Sequence, residues 1–109
     1  IHSISALEAI EIINNKQQPV FDVRAKTEFM SEHLLASEST PLDLLNVHLS
    51  SFPSQTEFLV HCAGGYRSVI ASSILKSRGI HNLIDVAGGF KDLKESGAEV
   101  TNYVCPSTL

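Results

Sequence analysis

The sequence predicts an α/β domain: a mostly parallel β-sheet covered by helices on both faces. Two observations lead there. Three short β-branched and aromatic runs, Val20-Phe21-Asp22-Val23, Phe58-Leu59-Val60 and Leu83-Ile84-Asp85-Val86, are too brief for helices and read as buried strands. Stretches with helical spacing separate them, and strands that alternate with helices imply right-handed crossovers and parallel pairing. Such sheets bind ligands outside the carboxyl ends of their strands, so Asp22-Val23-Arg24, Cys62 and Gly88-Gly89 should converge on one rim.

Ser5 precedes the apolar set Ala6, Ile10 and Ile13, and Glu8 three residues later completes a capping box, opening a helix that stops at Asn14-Asn15. Pro19 leads into the first strand, whose end is polar at Asp22 and Arg24. Residues 26–33 have weak helical character with Thr27 as the cap, and residues 37–41 read as a connection. Pro41 in a first turn, followed by Leu42, Leu44, Leu45 and Val47, predicts a second helix. Ser51-Phe52-Pro53-Ser54-Gln55 is a turn cluster. The next strand delivers the chain to Cys62, after which Val69, Ile70, Ile74 and Leu75 carry helical spacing to a cap at Gly79. The third strand ends at Ala87-Gly88-Gly89-Phe90, and a short helix from Phe90 to Glu95 is closed by Gly97. One domain is expected over residues 1–109, with its core about 3–97 and an irregular tail over 98–109.

Composition narrows the function. With 109 residues, 43% of them hydrophobic, the chain can build one core, yet no run approaches the roughly 18 to 20 apolar residues of a membrane span. A formal net charge of −4, with eight Lys and Arg scattered along the chain, argues against nucleic acid as a partner. Neither the histidines nor the two cysteines, Cys62 and Cys105, have a metal-ligand spacing, so no metal is expected. Both cysteines read as thiols in a reducing compartment, which points to the cytoplasm. The chain begins at Ile1, which suggests excision from a longer polypeptide.

The chemistry concentrates in His61-Cys62-Ala63-Gly64-Gly65-Tyr66-Arg67-Ser68. A thiolate at a strand end, followed by a turn into a helix, faces the partial positive charge and unpaired N–H groups of the helix amino terminus. Gly64 and Gly65 admit backbone conformations closed to other residues, so successive amides can turn inward as an anion-binding nest. Arg67 adds a permanent charge and a forked donor for an oxyanion of the substrate. A lone cysteine is ordinarily a small buried hydrophobe. Strand end, paired glycines, arginine and helix start together favour a nucleophilic thiol at Cys62.

Cys62 to Ser68 resembles the active-site loop of single-domain rhodaneses, sulfurtransferases that carry sulfane sulfur as a cysteine persulfide. Val20 to Arg24, Glu28-Phe29 and Glu32-His33-Leu34 resemble that family's first signature, and Leu83 to Phe90 resembles its later stretch. Three departures stand out: Glu32 occupies a usual glycine position, residues 35–40 lack the usual glycine-alanine step, and Phe90 replaces a tryptophan.

The resemblance implies a rhodanese-like fold with a five-stranded sheet and a ping-pong reaction. Cys62 would take the outer sulfur of a donor such as thiosulfate or a persulfide. It would then pass that sulfur to a thiophilic acceptor such as cyanide or a thiol, with no cofactor beyond the covalent persulfide. The amides of Ala63, Gly64, Gly65, Tyr66, Arg67 and Ser68 would hold the persulfide anion, and Arg67 would orient the donor. Residues 98–109 resemble the ending of rhodanese domains fused behind metallo-β-lactamase-fold hydrolases, which implies a fused hydrolase as a partner. A second reading is a relay module whose Cys62 is loaded only by a fused or separate protein. Related phosphatases place five residues between cysteine and arginine; the four here make a tighter ring, better fitted to a sulfur than to a phosphate.

Other residues carry weaker expectations. Strand alternation points His61 away from the Cys62 side chain, as a packed or rim histidine. His33 has the family position of a structural histidine. Asp22 and Arg24 either bind substrate or tie loops together. Tyr66 is expected to shape the loop mouth and lay its ring over the persulfide. Cys105 reads as a tail thiol, with a resolving role as the alternative.

Overall fold

The capping signal at Ser5 works as the sequence predicts. The Ser5 hydroxyl accepts the Glu8 N–H at 3.2 Å and the Glu8 carboxylate accepts the Ser5 N–H at 3.3 Å, opening α1 (Ala6–Asn14). In the computed structural model, which describes residues 3–15, 18–53, 55–64 and 66–103, this helix turns Ala6 and Ala9 into the core. Gly65 and Cys105 lie outside the described residues.

Five strands form one sheet: β1 (Ser3–Ile4), β2 (Val20–Asp22), β4 (Ser37–Ser39), β5 (Phe58–His61) and β6 (Leu83–Val86). Their order is β1-β6-β5-β2-β4 and every pairing is parallel, which places β5 in the middle. This is the α/β architecture that the strand and helix pattern predicts, with the five-stranded sheet that the family resemblance implies. The remaining helices are α2 (Lys26–Ser31), α3 (Tyr66–Ser77) and α4 (Gly89–Glu95).

Alternation along the strands divides the core into two layers. Val20, Leu59, Ile84 and Val86 pack with Ala6, Ala9, Phe90 and Leu93, which belong to α1 and α4. Phe21, Val23, Phe58, Val60, Cys62 and Leu83 pack with Ala71 and Leu75 of α3, joined by Leu45 and Phe52. Phe21, Phe52 and Phe58 form an aromatic trio with centroids 4.6 to 5.3 Å apart, the edge-on and tilted geometries that ring quadrupoles favour.

Four expectations need correction. The helix read from Pro41 onward is a pair of 3₁₀ turns, Leu42–Leu44 and Leu49–Ser51. Backbone bonds through this stretch close i to i+3, and the residues that reach the core layer are Leu42, Leu45, Leu49 and Phe52. Leu44 and Val47, which the helical reading counted as apolar face, are exposed, Val47 at 74%. The connection at 37–41 contains β4, a polar strand at the sheet edge, where one flank needs no apolar residue. The tail read as irregular from Ala98 includes β7 (Val100–Thr101), paired antiparallel with β3 (His33–Leu34). Two-residue strands leave no period to read. Thr27 does not cap α2; the helix starts after Ala25, whose N–H is taken by the Glu28 carboxylate at 3.1 Å. No described helix is long and apolar enough to cross a membrane.

Candidate active site

β5 runs out at His61, and the next residue, Cys62, turns its side chain to the α3 side of the sheet. Ala71 and Leu75 pack there, leaving Cys62 only 1% exposed. The thiol is not embedded in apolar surroundings alone. Its Sγ lies 3.6 Å from Oγ of Ser68, itself buried in the first turn of α3. That hydroxyl can donate to a thiolate or to the sulfur beyond it.

The loop backbone is held from the other side by α4. The carbonyl of Cys62 accepts the Phe90 N–H at 2.6 Å, and that of Ala63 accepts the Lys91 N–H at 3.2 Å. These donors are the first-turn amides of α4, which have no partner within their own helix. In a trans peptide the N–H points opposite to the carbonyl it follows. With both carbonyls turned toward α4, the amides of Ala63 and Gly64 are therefore turned away from it, toward the α3 side on which Cys62 lies. This fastening orients the first two peptide units of the loop.

Of the two loop glycines, Gly65 lies outside the described residues. Gly64 has an ordinary backbone angle, and nothing would meet a Cβ there within 4 Å. A described position that demands glycine against the loop is Gly89, with φ +61° and a would-be Cβ only 2.3 Å from the Cys62 carbonyl oxygen and 2.8 Å from that of Ala63. The close approach of α4 to the loop, which makes both carbonyl bonds possible, depends on the missing side chain.

Arg67 also sits in the first turn of α3, but its guanidinium is engaged. Nη1 and Nη2 donate to the two carboxylate oxygens of Glu28 on α2, at 2.5 and 3.1 Å. This ion pair is the main reason that Glu28 titrates below the usual carboxylate range and Arg67 above the usual arginine value. Cys62 adds a smaller favourable field at Arg67. The charges sit within reach of one another. Glu28 was not singled out as a site residue from the sequence, because nothing in the spacing links positions 28 and 67.

Beneath the loop, on the α1/α4 side of the sheet, Asp22 and Arg24 make a tie between loops, one of their two expectations. Arg24 Nε and Nη2 both donate to the buried Asp22 carboxylate at 2.9 to 3.1 Å, and Nη2 also donates to the Glu32 carbonyl at 2.6 Å. The guanidinium lies 4.1 Å above the centroid of Phe90, a cation–π contact that joins the end of β2 to α4.

His61 faces the same layer, opposite Asp22 in the β2–β5 register, with Nε2 3.9 Å from an Asp22 oxygen and Nδ1 3.2 Å from the Cys62 carbonyl. Burial holds it well below the ordinary histidine value, against the pull of Asp22. It is a packed imidazole on the far side of the strand from the thiol. His33 is buried as well, stacked on Phe29 at 3.8 Å with Nδ1 2.6 Å from the Phe29 carbonyl. Tyr66, expected to cover the sulfur, instead points outward with 85% of its surface exposed, because the first residue of α3 stands on the helix's solvent side.

Comparison with known proteins agrees with this geometry. The family model described as "Rhodanese-like domain" matches residues 5–96. The chain is 30% identical over 95 residues to a tRNA uridine(34) hydroxylase of Protochlamydia amoebophila, spanning 30% of that protein. It is 36% identical over 84 residues to the adenylyltransferase and sulfurtransferase uba4 of Ogataea parapolymorpha, spanning 21% of it. Those matches cover 79% and 74% of the present chain, which therefore corresponds to less than a third of either relative. Among solved structures, it resembles a rhodanese-related protein of Thermoplasma volcanium with a TM-score of 0.84 at 30% identity, covering 94% of this chain and all of that one. It likewise resembles a rhodanese-like domain protein of Staphylococcus aureus with a TM-score of 0.81 at 27% identity, covering 91% and 97%.

Proposed function

This chain belongs to the rhodanese-like domain family, and on that premise we propose that it is a sulfurtransferase working through a persulfide on Cys62. One observation carries the reading. The loop after β5 sets the buried Cys62 thiol 3.6 Å from the Ser68 hydroxyl at the start of α3, with the carbonyls of Cys62 and Ala63 drawn off toward α4. The Cys62 thiolate attacks the outer sulfur of a donor such as thiosulfate or an organic persulfide. A new S–S bond forms, the donor's S–S bond breaks, and its electron pair leaves with sulfite or with the thiol. A thiophilic acceptor, cyanide or a thiol, then takes the sulfur and restores the thiolate. The reducing cytoplasm is the setting that keeps such a thiol available.

A second reading is a relay module loaded by a fused or separate partner, a metallo-β-lactamase-fold hydrolase among the candidates. It is favoured by the small share of both curated relatives that this domain spans, one of them a sulfurtransferase by name. Incubation with thiosulfate or cysteine persulfide, followed by intact mass measurement, tests both. Gain of one sulfur atom, lost in Cys62→Ser, is expected. An unmodified mass with every small donor, alongside loading from a protein persulfide, selects the relay.

A further inference from the structure

The two rim arginines do not present open guanidinium forks. Arg24 is buried and spent on Asp22 and the Glu32 carbonyl. Arg67 is spent on Glu28, with both terminal nitrogens on both carboxylate oxygens. A bidentate fork of this kind is what would otherwise grip two oxygens of a sulfonate or similar anion. Glu28 is itself fixed: its Oε1 also accepts the Ala25 N–H at the start of α2, so the carboxylate stands where the helix puts it. The pair is open to the surroundings, with 35% of the Arg67 side chain and 37% of the Glu28 side chain exposed. A donor approaching the loop therefore meets a neutralised arginine with a carboxylate beside it, on a chain whose formal net charge is −4.

We propose that Glu28 is a specificity-determining residue that disfavours small dianionic donors and tunes the site to organic persulfides. The inference rests on the sulfurtransferase reading above. Thiosulfate carries two negative charges and so feels the Glu28 carboxylate twice, while the fork that would offset them is occupied. An organic persulfide, R–S–SH, brings at most one charge at its reacting end, and that sulfur is served by the loop amides and Ser68. In the step itself the Cys62 thiolate bonds to the terminal sulfur and the R–S–S bond breaks. The departing R–S⁻ keeps the electron pair and takes up the terminal proton, leaving Cys62–S–S⁻ and R–SH. No outside oxidant or reductant is required.

The experiment compares the full chain with Glu28→Gln and Glu28→Asp, measuring single-turnover loading of Cys62 from thiosulfate and from cysteine persulfide at low and high salt. One charge acting on a dianion across a solvent-exposed rim is worth about a factor of ten. Glu28→Gln should raise the ratio of thiosulfate to persulfide loading rates about tenfold, less at high salt where the charges are screened. Glu28→Asp, which keeps the charge, should stay near the wild-type ratio. An unchanged ratio in Glu28→Gln, or an equal shift in both variants, overturns the inference and reduces Glu28 to a support for Arg67. Loading from neither donor in any variant overturns the sulfurtransferase reading, and this inference with it.

Discussion

Replacing Gly89 by alanine tests how the loop is held. A left-handed backbone angle costs an L-residue about 1 to 2 kcal/mol, and φ at Gly89 is +61°. The added Cβ would also stand 2.3 Å from the Cys62 carbonyl oxygen and 2.8 Å from that of Ala63. Both obstacles are backbone atoms, so no rotamer change relieves them; the helix or the loop must move, an overpacking cost of about 1 to 3 kcal/mol. Together these predict a loss of about 2 to 5 kcal/mol, a large part of the stability of a domain this size. Because the Phe90 N–H to Cys62 bond at 2.6 Å lies at the point of contact, the reactive loop should shift too. Urea denaturation gives the first quantity and the alkylation rate of Cys62 in native buffer reports the second. Gly64→Ala is the control: with an ordinary angle and nothing within 4 Å of the new methyl, it should change stability by no more than about 1 kcal/mol. Equal losses in the two variants would refute the claim that the close approach of α4 at Gly89 holds the loop.

Two further outcomes are expected. Asp22→Asn removes the charge that Arg24 needs in a site where both side chains are buried, and breaking such a pair costs about 3 to 5 kcal/mol. An unfolding free energy from urea denaturation within about 1 kcal/mol of wild type would contradict that assignment. Acid should weaken the fold in two stages. His61 is held below its ordinary value of 6.5, so the unfolded chain takes up a proton there that the folded chain resists. Its contribution is complete above about pH 6.5 and declines below it. Glu28 is also held low, and its ion pair is lost as pH falls from the ordinary value of 4.5 through the lower folded one; both partners are more than a third exposed, so screening keeps this part small. His61→Phe should flatten the first stage of a melting-temperature series; an unchanged slope between pH 7 and 5 would refute it.

The sheet was legible because its three central strands are apolar runs with polar ends, and polar strand ends mark the rim whatever lies around them. The cysteine loop was legible because its residues are contiguous. What stayed hidden depends on contacts between distant positions or on very short elements. β1, β3 and β7 have two residues each, and β4 is polar because it lies at an edge. The Glu28–Arg67 pair joins positions 39 apart that only the packing of α2 near α3 brings together. Gly89 could be placed at the rim from sequence, but its role became visible only when the Cys62 carbonyl was found against it. The Pro41 segment misled because leucines at helical spacing fit 3₁₀ turns equally well over so short a stretch.

The position of β5 in the middle of the sheet has a consequence for how this thiol ages. Segments that fluctuate open most readily are those with few buried contacts, and enzymes often draw their reactive loops from them. Here Cys62 leaves the strand with two parallel neighbours, directly under α3 and with its carbonyl bonded to α4. With Cys62 only 1% exposed and packed against Ala71 and Leu75 of α3, a bulky reagent reaches its flank only if that packing opens. Slim reactants that enter through the loop mouth are spared that requirement. Modification of Cys62 by large oxidants should therefore track the stability of the domain more closely than modification by small ones.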